Sequence, residues 1–314
     1  METKKARLIY NPLAGRELMK AQVPDILDRL EDAGYEASAH ATKGPDSARA
    51  EACRVANAGF DLVVSAGGDG TLFEVVNGLS CVEKRPTLGI LPAGTSNDFA
   101  SALGIPDDLK QAASVLTNGK RVPVDVGRAG DAYFINIAAA GYLTEVTYDT
   151  PIKLKNMLGQ LAYYVKGIEK LQDITPVRAK ITYDGKVFDE EIMIFMLANS
   201  SRVGGFEQLA PRASFSDGLF DLLIARKMNI AELLQLGSLL LRGEHLSHPR
   251  VLYVQAREVT VEVDHPLRMN LDGEYGGDLA TRFVNLRHHL DVLVPASDGD
   301  EQEEHDEHDE HDEN

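Results

Sequence analysis

Asp69 stands inside a glycine turn, Gly67-Gly68-Asp69-Gly70, within the segment VVSAGGDGTLFEVVNGL over Val63–Leu79. An apolar run leads into the turn and a helical pattern leaves it. Glycines let backbone N–H groups come close to phosphate oxygens, and the unpaired N–H groups of a helix start attract an anion. A carboxylate in the middle would repel that phosphate. Asp69 therefore points to a Mg²⁺ ion or to a hydroxyl proton that must be removed. A glycine-rich turn with an Asp N-cap would use the same residues, and one such turn leaves both readings open.

A second turn of this kind, LPAGTSNDFA over Leu91–Ala100, offers Thr95, Ser96 and Asn97 as neutral donors for phosphate or ribose. Helix capping by Asp98 is the plain alternative. A third, Asn11-Pro12-Leu13-Ala14-Gly15, follows the first apolar run. Three polar turns converging on one edge of a sheet favour a nucleotide site over coincidence.

The elements that must position these turns follow from spacing. Strand-like runs at Ala6–Pro12, Glu36–Ala41, Phe60–Ala66 and Thr87–Pro92 alternate with helical patterns at Glu17–Ala33 and Ser47–Ala58, after Gly70 and from Ser96. That rhythm predicts a parallel sheet covered on both faces. After Val122 the pattern turns β-rich, with runs at Val122–Arg128, Ala132–Ala138, Val177–Tyr183, Lys186–Asn199, Leu219–Ala225, Val251–Val263, Leu267–Leu271 and Phe283–Val294. Asp184-Gly185 reads as a hairpin turn. Helical stretches interrupt at about Lys153–Gln172 and Asn229–Arg242. The expected organisation is an α/β domain over residues 1–124, with about 286–297 returning to it. A mainly antiparallel β-sandwich covers 125–285, and a disordered acidic tail covers 298–314.

The net charge of −17 is misleading, because Asp298–Asn314 holds eleven carboxylates and no Lys or Arg; residues 1–297 carry only −6. The acidity argues against nucleic acid as a partner. His305, His308 and His311 recur in the tail, where a solvating role is preferred to metal scavenging. Cys53 and Cys81 lack metal-ligand spacing and suggest no disulfide framework, so a reducing, cytoplasmic setting is expected. No apolar run approaches the ~20 residues that span a bilayer.

Taken together, NPLAG, GGDGTLFE and GTSNDFA resemble the bacterial soluble diacylglycerol kinase family, whose catalytic domain is shared with sphingosine and ceramide kinases. INIAAAGYLTEV (Ile135–Val146), GGFEQLAPRASFSDGLFDLLI (Gly204–Ile224) and MNLDGE (Met269–Glu274) extend the resemblance over most of residues 6–295. It implies an NAD-kinase/phosphofructokinase-like first domain and an ATP- and Mg²⁺-dependent lipid kinase. Asn11, Gly15, Thr42, Gly67, Gly68, Asp69, Gly70, Thr71, Leu72, Phe73, Thr95 and Glu274 would bind the nucleotide. Glu274 would be the base, Asp272 would orient the site or hold Mg²⁺, and Asp69 would belong to the same carboxylate set, with Asp125 joining through water. Asp217, with Ser214 and Leu219, would form a structural Mg²⁺ site. Apart from the resemblance, Asp272-Gly273 reads as a type I′ hairpin turn and Asp217-Gly218 as a turn before a strand.

The sequence departs from the family pattern at Phe73, usually Asn, at Ala14, often Ser, and at Ser101, often Arg. None of these removes an assigned carboxylate. The resemblance also implies a lipid substrate at the membrane surface and a homodimer. Thr150–Leu171, with apolar residues at helical spacing beside Lys153, Lys155, Lys166 and Lys170, fits a peripheral, transient membrane contact or an ordinary core helix. A kinase acting on NAD, or a non-catalytic nucleotide or lipid sensor, is the rival reading. The Asp272-Gly273-Glu274 and APRASFSDG segments argue against the first.

Overall fold

In the computed structural model, which describes residues 3–15, 18–141, 176–202 and 208–296, the chain divides into two compact units. One comprises Met1–Pro123 with the chain from Leu290 onward; the other is Val124–His289. The Thr150–Leu171 segment and the tail after Pro295, apart from Ala296, lie outside the described residues.

The first unit is a run of alternating strands and helices. They are β1 (Lys4–Tyr10), α1 (Leu18–Asp32), β2 (Tyr35–Ala41), α2 (Ser47–Asn57), β3 (Leu62–Gly67), α3 (Asp69–Leu79), β4 (Thr87–Pro92), α4 (Asp98–Ala102) and α5 (Leu109–Asn118). The sheet order is β2-β1-β3-β4, all parallel. Every residue of β3 and β4 is buried, as expected for central strands with helices on both faces. The helix α5 was not anticipated, although its signal is local: the Asp108 carboxylate accepts the N–H groups of Lys110 and Gln111, an ordinary N-cap.

Helices α2 and α3 pack closely. A Cβ at Gly78 would lie 2.4 Å from the Arg49 carbonyl oxygen, so only glycine permits the approach. The same packing corrects the reading of the cysteines. Cys53 on α2 and Cys81 just after α3 lie 6.4 Å apart at Cα and form a disulfide. Nothing local could show this pairing, because 28 residues separate the two. The argument from the cysteines for a reducing compartment falls with it.

The second unit is antiparallel in its β7–β14 pairings. Its strands are β5 (Lys120–Ala129, which begins in the first unit), β6 (Ala132–Phe134), β7 (Ile137–Gly141), β8 (Val177–Tyr183), β9 (Lys186–Ala198), β10 (Phe220–Arg226), β11 (Val251–Ala256), β12 (Glu258–Val263), β13 (Arg268–Leu271), β14 (Glu274–Asp278) and β15 (Arg282–Val294). One further helix, α6, spans Ile230–Leu241. The long strand β9 pairs β8 along its first half and both β7 and β10 along its second. The last residues of β15 belong to the first unit, where Val292 pairs parallel with Leu88 of β4.

Two expected runs are divided. The run over Ala132–Ala138 breaks because the N–H groups of Ile135, Asn136 and Ile137 donate to the Asp272 carboxylate. The run over Val251–Val263 breaks at Arg257, whose N–H donates to the Asp184 carboxylate. The Asp184-Gly185 turn has φ of 43° and 81° at its two central residues, as a type I′ hairpin requires. No helix among the described residues is long and apolar enough to cross a membrane.

Candidate active site

Four strand ends of the first unit carry the expected nucleotide-binding residues, and backbone hydrogen bonds lock their loops together. Asn11 N–H donates to the Ala66 carbonyl at 2.9 Å, Thr42 N–H to Tyr10 at 2.9 Å, Gly15 N–H to Ala93 at 2.9 Å and Ala93 N–H to Gly67 at 2.8 Å. Asn11, Gly15, Thr42, Gly67, Gly68 and Thr95 are thereby gathered at the carboxyl edge of the parallel sheet. Gly70, Thr71, Leu72 and Phe73 form the opening of α3. Of these four, Leu72 is buried, whereas Thr95 is exposed. Gly67, Gly68, Asp69, Leu72, Pro92 and Asn97 line a small crevice between the two glycine turns.

The glycines have a reason beyond phosphate. A Cβ at Gly94 would fall 2.5 Å from the Gly68 Cα, so the two turns touch backbone to backbone. Asp69 completes the contact. Its carboxylate accepts Asn97 N–H at 3.0 Å and Asp98 N–H at 3.1 Å. It therefore caps the start of α4 across 28 positions of sequence, rather than its own helix. Asn97 adopts φ 48° and its Oδ1 accepts Gly94 N–H at 2.9 Å. Burial raises the Asp69 carboxyl above its ordinary value; the charge of Asp98 raises it further, and the backbone N–H groups oppose the shift. A cation beside Asp69 would relieve both effects.

Glu74, in the first helix after the glycine turn, was not singled out from sequence. Its carboxylate reaches the start of α2 and accepts the N–H groups of Asp46 at 3.0 Å, Ala48 at 2.9 Å and Arg49 at 3.4 Å. Asp46, at φ 60°, makes no side-chain cap bond of its own. Glu74 thus fixes the loop that carries Thr42. The only sequence hint was a Glu following a glycine turn, which by itself suggests no partner.

In the second unit, Asp272 and Gly273 have φ of 51° and 98°, and Leu271 pairs with Glu274 across them. This is a type I′ turn, so the hairpin reading of these residues describes the backbone correctly. The side chain of Asp272 does more than turn the chain. One oxygen accepts Ile135 N–H at 2.7 Å, and the other accepts Asn136 and Ile137 N–H at 2.8 and 2.9 Å. Glu274, exposed, follows this pinned turn at the start of β14.

Ser214, Asp217 and Leu219 lie on one loop, as expected. Asp217 Oδ1 accepts Leu219 N–H at 2.9 Å, and the Leu219 carbonyl accepts Asn285 Nδ2–H at 3.1 Å. The loop offers one carboxylate and carbonyl oxygens, hard donors that suit Mg²⁺. Fully buried Asp125 holds it: one oxygen accepts Gly218 N–H at 2.6 Å, and the other accepts His288 N–H at 2.7 Å. Asn199 extends the tie, donating to the carbonyls of Asp125 and Ile135. One buried polar chain therefore connects the Asp217 loop to the segment that Asp272 pins. Among the described residues no group of three or more His, Cys, Asp or Glu gathers as a metal cluster.

A parallel α/β unit with paired glycine turns, followed by an antiparallel sandwich carrying an Asp-Gly-Glu hairpin, is the build of a lipid kinase. The profile of the diacylglycerol kinase catalytic domain matches residues 5–129, and that of the YegS C-terminal NAD kinase β-sandwich-like domain matches residues 137–294. The chain belongs to the diacylglycerol kinase family. It is 50% identical over 299 residues to a diacylglycerol kinase of Bacillus subtilis (strain 168), covering 95% of this chain and 99% of that protein. It is 47% identical over 292 residues to a diacylglycerol kinase of Staphylococcus aureus (strain JH9), covering 93% of each. A Bacillus anthracis (Sterne) crystal structure aligns with a TM-score of 0.80 at 28% identity, over 94% of this chain and 96% of that one.

Proposed function

We propose that this lipid kinase transfers the γ-phosphoryl group of ATP, with Mg²⁺, to the free hydroxyl of diacylglycerol or a similar lipid alcohol. The observation that carries the reading is the 50% identity to a diacylglycerol kinase across 95% of the chain.

In this reading Asn11, Gly15, Thr42, the loop from Gly67 to Phe73 and Thr95 hold the nucleotide. Their turns are locked to one another by backbone hydrogen bonds, and such preset positions suit a reaction that depends mostly on positioning and charge neutralisation. Glu274 removes the acceptor's hydroxyl proton as its oxygen forms a bond to the γ-phosphorus, and the bond to the departing ADP oxygen breaks. Asp272, held by three backbone N–H groups, fixes the turn that aims Glu274. Asp69 keeps the two glycine turns in register. Mg²⁺, when bound, offsets phosphate charge. Ser214, Asp217 and Leu219 take a second, structural Mg²⁺. The enzyme acts from the cytoplasm on lipid at a membrane surface, as a homodimer.

The test is purified protein with radiolabelled ATP and Mg²⁺ against diacylglycerol, monoacylglycerol, phosphatidylglycerol, a sphingoid alcohol and NAD. The expected result is label in the diacylglycerol product. Label in NAD alone would replace the lipid reading with the soluble-acceptor one.

A further inference from the structure

The loop that carries Ser214, Asp217 and Leu219 is closed at its base by β11. Its two stems are Arg212 and, at the start of β10, Asp221. The Tyr253 hydroxyl of β11 accepts Arg212 N–H at 3.2 Å and donates to the Asp221 carboxylate. Gln255 repeats the bridge more loosely: its Nε2–H groups donate to the Arg212 carbonyl and to Asp221 Oδ2, both at 3.5 Å. The Arg212 guanidinium lies over the face of the Tyr253 ring, 5.2 Å from its centre.

Strand register explains the convergence. β10 and β11 pair antiparallel, with Asp221 opposite Gln255 and Leu223 opposite Tyr253. Residues two apart on a strand share a face, so Tyr253 and Gln255 stand side by side on the face from which Asp221 projects. Asp221 is buried, at 1% exposure. A buried carboxylate is tolerated only where donors meet it, and here the donors are side chains that also grip the other stem. The far part of the loop is held separately. Asp125 N–H donates to the Phe215 carbonyl at 2.6 Å, and the Asp125 carboxylate accepts Gly218 N–H at 2.6 Å.

We infer that Tyr253 and Asp221 are positioning residues for the cation site at Ser214, Asp217 and Leu219, closing the base of the loop so that its oxygens are preset before a cation arrives. The inference rests on the reading of that loop as a Mg²⁺ site. Mg²⁺ demands near-ideal donor geometry and tolerates little displacement. A loop that had to order on binding would lose affinity to the entropy of fixing its backbone. With Asp125 on the far part and Tyr253 on the stems, that ordering is complete beforehand. Groups behind the ligands of a metal commonly change its affinity about ten- to a hundredfold when removed. Tyr253 carries the larger share, because its hydroxyl meets both stems at shorter range than Gln255 does. The negative charge of Asp221 would also favour a cation, so the experiment must separate charge from closure.

The test is titration calorimetry of Mg²⁺ into the full chain without nucleotide, for wild type, Asp217→Asn, Tyr253→Phe and Asp221→Asn, with thermal melting of each in the absence and presence of Mg²⁺. Tyr253→Phe keeps a ring under Arg212 and removes both hydroxyl bonds. Wild type is expected to bind Mg²⁺ at a site that Asp217→Asn abolishes. Tyr253→Phe should bind it roughly tenfold more weakly, and Asp221→Asn, which still accepts the Tyr253 hydroxyl, should lose less. Unchanged affinity in folded Tyr253→Phe overturns the inference. So does a melting temperature that falls equally without and with saturating Mg²⁺, because the brace would then be structural only. A larger loss in Asp221→Asn than in Tyr253→Phe assigns the effect to charge and overturns it too. Should Tyr253→Phe fail to fold, Gln255→Leu removes the looser bridge alone; a several-fold loss of Mg²⁺ affinity supports the inference and no loss overturns it. Absence of Mg²⁺ binding in wild type, or its persistence in Asp217→Asn, defeats the cation-site reading itself and the inference with it.

Discussion

The Asp69 carboxylate accepts the backbone N–H of Asn97 at 3.0 Å, so the acidic residue of the first glycine turn holds the second turn in place. Local sequence offered Asp69 as a helix cap or a metal ligand; its position joins two loops 28 residues apart. Asp69→Ala removes that tie. It is expected to lower phosphate transfer by at least about a hundredfold without unfolding the chain, as read by steady-state kinetics beside circular dichroism.

The same carboxylate makes stability depend on pH. Its folded value lies above the ordinary 3.8, so the folded state binds the proton more tightly than the unfolded chain. Its contribution is therefore present below that ordinary value and is lost as pH rises through the raised one. Asp69→Asn cannot titrate. The melting temperature of wild type relative to this variant is expected to fall as pH rises above the ordinary 3.8; a constant difference would contradict the assignment.

Glu74→Ala leaves the start of α2 uncapped. The expected cost is about 1 kcal/mol, with a several-fold rise in KM for ATP and little change in kcat, because Thr42 moves and the acceptor side does not. Glu74→Gln keeps one acceptor oxygen and should recover part of the loss. Equal KM in all three proteins would show that the cap does not reach the nucleotide loop.

Asp272→Ala strands three backbone N–H groups and places alanine at φ 51°. Urea unfolding should show a loss of about 3 kcal/mol. Asn tolerates the left-handed turn and keeps one acceptor, so Asp272→Asn should lose less. If both variants lose the same, the hydrogen bonds are not what fixes the turn.

The Cys53–Cys81 bridge closes a loop of 28 residues, worth about 3–4 kcal/mol on chain-entropy grounds. The denatured, unreduced chain should show no free thiol. Reduction with a dithiol should lower the melting temperature, and Cys53→Ala, Cys81→Ala should no longer respond to it.

What sequence could carry here was local. The mainly apolar β3 and β4, the glycine turns and the Asp184-Gly185 hairpin all state themselves in adjacent residues. The strand β14 did not, because Glu-Tyr-Gly-Gly-Asp has little strand character and pairs with β13 only through the turn at Asp272. The site's ties were equally invisible. Asp69 to Asn97, Glu74 to Ala48 and Asp272 to Ile135 each join a side chain to a distant backbone N–H, and a backbone donor leaves no mark on residue type. The family resemblance singled out carboxylates without showing what holds them.

The most direct test of the account is transfer of label from ATP to diacylglycerol in mixed micelles by wild type and Glu274→Gln, with ATP binding measured on both. Glu274 is expected to be needed for proton removal and not for folding, so the variant should bind ATP like wild type and lose turnover by several orders of magnitude. Wild-type turnover in Glu274→Gln would contradict the assignment of the base.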